Sequence, residues 1–135
     1  MLPSFRKRGI TMTITEAITQ IDTIKPNAYS PNEKISWLSR LDGMVKRLII
    51  DTHEGGEGII FGGYDSETDL DTELLVSAPF DDIYLRWMEA QIDYANAEFP
   101  KYNNSILMFN AAFEMFSNHY NRNHMPITKN KRFVF

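Results

Sequence analysis

The chain has 135 residues and a mass of 15.7 kDa, enough for one domain with a single sizeable core. Apolar residues make up 43% and aromatics 13%, so the chain as a whole does not have the composition of a disordered protein. Cysteine is absent, which excludes a disulfide framework, thiol catalysis and any cysteine-ligated metal, and the net charge is −4.

The charge is unevenly placed. No Lys or Arg lies between Arg47 and Arg86, while Asp51, Glu54, Glu57, Asp65, Glu67, Asp69, Asp71, Glu73, Asp81 and Asp82 all do. Basic residues gather at the ends, with Arg6, Lys7 and Arg8 in front and Lys129, Lys131 and Arg132 behind. An acidic middle of this kind repels a phosphate backbone and argues against sequence reading of DNA. No apolar run approaches the roughly 18–20 residues of a membrane span, and no apolar stretch follows the basic N-terminus as a secretory signal requires.

Residues 1–12 carry no periodicity and are expected to be a disordered or non-native extension. Lys7, Arg8 and Gly9 can be encoded by purine-rich codons like a ribosome-binding site, so Met12 is expected to be the natural start. The single helical domain is expected over 13–126, with 127–135 as a C-terminal tail.

Thr13 and Glu16 form a capping box ahead of Ile14, Ala17, Ile18 and Ile21, which predicts a first helix over roughly 14–24, closed by Pro26. Ser30, Pro31 and Glu33 open a second helix in the same way. Ile35, Leu38, Leu41, Val45, Leu48 and Ile49 give it a buried face, and Gly43 within it allows a close neighbour or a slight bend. A third helix is predicted from Asp81–Asp82 to Pro100. Its apolar residues fall on two faces, Ile83, Trp87 and Tyr94 on one and Leu85, Met88, Ile92 and Ala95 on the other, as in a helix packed between neighbours. Ile106, Phe109, Phe113, Phe116 and Tyr120 form the stripe of a fourth helix, which the short connection at Pro100 makes the antiparallel mate of the third. The fold class is therefore mainly α. It is a small bundle of about four helices with a long acidic loop or β-hairpin arm over 51–77, between helices 2 and 3. In that arm "GIIF" and "ELLV" are two short β-capable runs that could pair.

The arm also carries the chemical candidates. Asp51, His53 and Glu57 are acceptable ligands for zinc, manganese or iron, which would make the chain a metal-dependent hydrolase. The spacing is not the helical His-Glu-x-x-His pattern, and Gly55, Gly56 and Gly58 forbid a helix that would pre-position them. "GGEG" lacks the Lys-Ser or Lys-Thr of a phosphate loop, and no nucleophile motif is present. Paired carboxylates such as Glu67 and Asp71 sit in surroundings too polar to separate their pKa values. No cofactor and no catalytic residue is expected. Phe61, Tyr64, Leu70, Leu74 and Leu75 read instead as anchors for a partner that covers them. The tail residues Arg132, Phe133, Val134 and Phe135 suit strand addition to a neighbour.

Four stretches in order, "SPNEKISWLSRLDGMV", "DTHEGGE", "DTELLVSAPFDDIYLRWMEAQIDYANAE" and "KYNNSILMFNAAFEMFSNHYNRNHMP", resemble small proteins encoded by prophages and tailed phages of Gram-positive bacteria. These are similar to head–tail connector (adaptor) proteins, and the resemblance spans roughly Met12 to Pro126. It implies a helical bundle with a protruding arm, assembled as a homo-oligomeric, twelvefold ring beneath the portal protein and binding a head-completion or tail protein. The location implied is the virion neck, reached from the host cytoplasm during assembly. DNA would be passing cargo without sequence readout, with Glu67, Asp69, Asp71 and Glu73 as an acidic lumen or rim. No catalytic residue is implied. A small phage-encoded regulatory binding protein is the alternative.

Overall fold

The computed structural model describes residues 11–127. A short strand β1 (Thr11–Thr13) runs directly into helix α1 (Ile14–Ile24). The capping box at their junction is complete: the Glu16 N–H donates to Thr13 Oγ1 at 3.2 Å, and the Thr13 N–H donates to Glu16 Oε1 at 3.0 Å. Helix α2 (Pro31–Met44) begins with the same device, Ser30 accepting from the Glu33 N–H and Glu33 from the Ser30 N–H. Both starts lie where the capping residues put them.

After Met44 the helix widens into a π turn, Val45–Ile50, and the Asp51 N–H reaches back five residues to the Lys46 carbonyl at 2.8 Å. The departure from α geometry therefore sits just beyond Gly43. A side chain at Gly43 would make only ordinary contact, 3.9 Å from the Phe61 ring. Gly56 is the glycine that close packing requires, since a Cβ there would stand 2.6 Å from the Ile50 side chain.

Residues 51–72 form the arm, without helix or strand, and β2 (Glu73–Ser77) returns the chain to the core. Of the two forms left open for the arm, the loop is the one found. "GIIF" makes no strand, and "ELLV" pairs instead with β1, antiparallel, with Thr11 opposite Ser77 and Thr13 opposite Glu73. Thr11 and Met12 thus belong to the folded domain rather than to an extension, and Met12 is buried. Residues 1–10 and 128–135, which include the tail candidates Arg132, Phe133, Val134 and Phe135, lie outside the described residues.

Helix α3 (Asp82–Ala95) is shorter than the reading to Pro100. Ala97 takes a left-handed φ of 59°, and the Glu98 N–H turns back to the Asp93 carbonyl at 2.9 Å. Helix α4 (Phe99–Asn123) then starts before Pro100, which occupies its first turn, where a proline lacks nothing the helix needs. The mistaken end came from treating proline as a stop when it serves here as a start. The short link makes α3 and α4 the expected hairpin. Ile83, Tyr84, Met88 and Ile92 of α3 are buried, whereas Tyr94 and Ala95 are exposed. The core joins these residues to Ile14, Ala17 and Ile21 of α1, Ile35, Leu38, Leu41 and Val45 of α2 and the π turn, Leu74 and Val76 of β2, and Phe109 and Phe116 of α4. No helix among the described residues is long and apolar enough to cross a membrane.

Candidate functional site: an acidic arm and its buried anchor

The arm is tied to the bundle by a residue that sequence reasoning passed over. Asp42 has no solvent exposure. Its Oδ1 accepts from the Tyr84 hydroxyl at 2.6 Å, and its Oδ2 accepts from the Tyr64 hydroxyl at 2.6 Å and the Leu75 N–H at 3.0 Å. The Tyr84 oxygen in turn accepts from the Val76 N–H at 2.8 Å. One carboxylate therefore joins α2, the arm, β2 and α3. Burial raises the Asp42 pKa above the ordinary carboxylate value, and the hydrogen bonds from Tyr64, Tyr84 and Leu75 offset part of that rise. Burial, and then the nearby Asp42 charge, pushes both tyrosine hydroxyls upward and keeps them protonated. The signal was available in the sequence. Ile35, Leu38, Asp42, Val45 and Ile49 are spaced by three and four, so an aspartate occupies a core position of α2.

With the arm's root fixed, its expected partner anchors divide. Leu74 is buried in the core, so it is not available to a partner. Tyr64 is held by Asp42 and its N–H donates to Ser39 Oγ at 2.9 Å, while Leu75 is half-buried and packs against the core. Phe61 is half-buried and meets the Tyr64 ring edge-on with centroids 4.9 Å apart. These four fold back because β2 and α2 bury more of their surface than a free arm would. Leu70 remains 45% exposed, and Ile60, which was not singled out, is 89% exposed. The arm thus presents a different apolar tip from the one its leucines suggested.

Glu67, Asp69, Asp71 and Glu73 are all exposed. Asp65 and Asp69 shape the backbone locally, accepting from the Glu67 and Asp71 N–H groups, each at 2.9 Å. Beside the arm's root lies a groove of about 550 Å³ lined by Asn32, Ser36, Ser39, Arg40, Tyr64 and Asp65.

The three metal candidates do not converge as ligands. Asp51, His53 and Glu57 border one groove, but Asp51 pairs with Lys46. His53 has its ring nitrogens against the Ile49 carbonyl at 2.6 Å and Asn121 Oδ1 at 2.8 Å. Among the described residues no three His, Cys, Asp or Glu side chains are placed to hold an ion. His53 instead joins the start of the arm to the last turns of α4, at Asn121 and Tyr120. The Glu54 N–H donates to the Met125 carbonyl at 2.8 Å and the Ile127 N–H to the Thr52 carbonyl at 2.9 Å, fastening the segment after α4 to the arm. His124 stacks on Tyr120 at 3.8 Å, and His53 meets the same ring edge-on at 5.2 Å.

The geometry defines a small helical bundle whose acidic arm springs from a buried aspartate–tyrosine anchor. Set against protein-family models, curated proteins and solved structures, the chain matches none of them.

Proposed function

We propose that this chain is a structural virion protein, a head–tail connector that assembles as a ring under the portal and links the DNA-filled head to the tail. The observation that carries the reading is the arm. Its root is fixed by Asp42, Tyr64 and Leu75, while Ile60 and the acidic side chains of Glu67, Asp69, Asp71 and Glu73 face solvent. An arm held at its base and apolar at one tip can insert a hydrophobic anchor into a neighbouring subunit without refolding. Its carboxylates, lining or rimming a channel, would keep phosphates from adhering as DNA passes. The resemblance of the four stretches to phage connector proteins supports the same role. On this reading the protein carries out no chemical step.

Electron microscopy of lysates from a phage deleted for this gene tests it. Heads lying apart from finished tails are expected, and a plasmid copy should restore joined particles. Normal, infectious particles from the deletion would overturn the connector reading and leave a regulatory binding protein, to be sought by pull-down from host lysate.

A further inference from the structure

Helix α4 buries Phe109 and Phe116 against the bundle, and its opposite side carries a second row. Asn104, Leu107, Ala111, Met115 and Asn118 are all exposed. At 100° per residue they lie within about 40° of Ala111, in a single line along the helix. Leu107 is 64% exposed, Met115 63% and Met108, at the edge of the row, 49%. No Lys or Arg falls between Lys101 and Arg122, and Glu114 is the one carboxylate in that span. An outer helix face normally carries charges that keep it solvated, and this one carries apolar groups and amides.

The row reads nearly the same in both directions from Ala111. Four residues away stand Leu107 and Met115, and seven residues away stand Asn104 and Asn118. A two-fold contact between antiparallel helices pairs residues at equal distances on either side of its axis, so a row of this pattern sets apolar groups on apolar groups and amides on amides. With Ala111 on the axis and two copies of α4 antiparallel, Leu107 lies over Met115 of the second copy. Asn104 then faces Asn118 of the second copy, and each amide can both donate and accept. Alanine at the crossing lets the backbones approach, and the flexible methionines fill the space to either side. A parallel pair would set Glu114 against its own equivalent, whereas the antiparallel pair places it beside Met108 of the second copy. Charge and shape therefore select the same arrangement.

We propose that the outer face of α4 is a homodimer interface, two copies packing antiparallel about Ala111. The seam from Asn104 to Asn118 is about 21 Å long. A contact of that size is below the standard interface, so the dimer belongs with weak, concentration-dependent contacts rather than obligate ones. The inference is independent of the connector reading, since a ring joins unlike patches and this contact joins like ones.

Sedimentation velocity of the purified full chain over rising concentration tests it. The wild type is expected to pass from monomer to dimer, and Leu107→Glu to remain monomeric with an unchanged far-UV circular dichroism spectrum. Because the chain has no cysteine, Ala111→Cys provides a second readout. Mild oxidation should link most of that variant into dimers, while Ile24→Cys, at a site also exposed on α1, should link at least tenfold more slowly. A wild type monomeric throughout, a larger species that persists in Leu107→Glu, or equal linking rates for the two cysteine variants would each overturn the proposal. The connector reading fails or stands separately, in particles made without the gene.

Discussion

Two aspartates in this protein are sealed from water in different company. Asp42 is surrounded by neutral donors, two phenols and a peptide N–H. Asp93, at the far end of α3, has the Lys25 ammonium 3.0 Å from Oδ1 and the Ser105 hydroxyl donating to Oδ2. The Lys25 contact has no hydrogen-bond alignment at Oδ1, so charge rather than direction holds it. Asp42 gathers the arm and β2 onto α2 and α3, and Asp93 fastens the end of α1 to α3 and the first turns of α4. A neutral shell fixes geometry through direction and leaves the carboxylate costly to ionise. A cationic partner compensates the charge and leaves the geometry looser.

Removing each centre tests the contrast. Asp42→Ala strands two hydroxyls and an N–H inside the core and should lower stability by about 3–5 kcal/mol, seen as a large fall in the urea midpoint. A fall below about 1 kcal/mol would mean that water enters and replaces the carboxylate. Lys25→Met leaves Asp93 buried beside Ser105 alone, with an expected loss of about 2–3 kcal/mol, moderated because the Lys25 side chain is 27% exposed. Adding Asp93→Asn to that variant should recover part of the loss, since the uncompensated charge is gone, and a double-mutant cycle measures the recovery.

The pH dependence sharpens the distinction. The folded pKa of Asp42 lies above its unfolded value, so the folded protein holds that proton more tightly. The stabilisation from the bound proton is full below the unfolded pKa of about 3.9 and is lost as pH rises through the raised folded pKa. Asp42→Asn cannot titrate. The stability of the wild type relative to Asp42→Asn should therefore be greatest at the acid end of a urea series and decline toward neutrality. A difference that stays constant with pH would show that Asp42 ionises at the same pH in both states. The smallest effect belongs to Tyr64→Phe, which should cost about 1 kcal/mol and leave the bundle intact. Amide exchange over residues 62–68 should quicken while exchange in α1 and α3 does not change.

The readable parts of this fold were those with local causes. Thr13 with Glu16, and Ser30 with Pro31 and Glu33, place two helix starts because the cap and the backbone it satisfies lie within one turn. The stripe ending at Tyr120 marks α4 because a helix repeats its inward face. The pairing of β1 with β2 joins segments about sixty residues apart through a strand of three residues, and "TMT" has no pattern that names its partner. Asp42 was legible by spacing and hidden by residue type, since an aspartate among leucines reads as solvated until Tyr64 and Tyr84 are known to converge on it. For the same reason Leu74 and Leu75 looked free: their acidic neighbours described the arm's surface and not the core beneath its end.

The π turn sets a rule for how the chain tolerates changes in length. Val45–Ile50 holds one residue more than an α-helical path would, and that surplus fixes the rotation at which Asp51, Thr52 and His53 emerge. Removing one residue there would let the segment rewind as ordinary α-helix between the same ends, whereas a deletion in the regular part of α2, which has no surplus, would swing everything downstream by about 100°. Thr52 would leave Ile127, and His53 would leave Asn121. Single-residue deletions should therefore be tolerated around Gly58 and Gly62, where a side chain would meet open space, better tolerated over 45–50 than a loss in regular helix, and most disruptive over 32–44. The arm can drift in length at its tip while its base stays in phase with the helix that launches it.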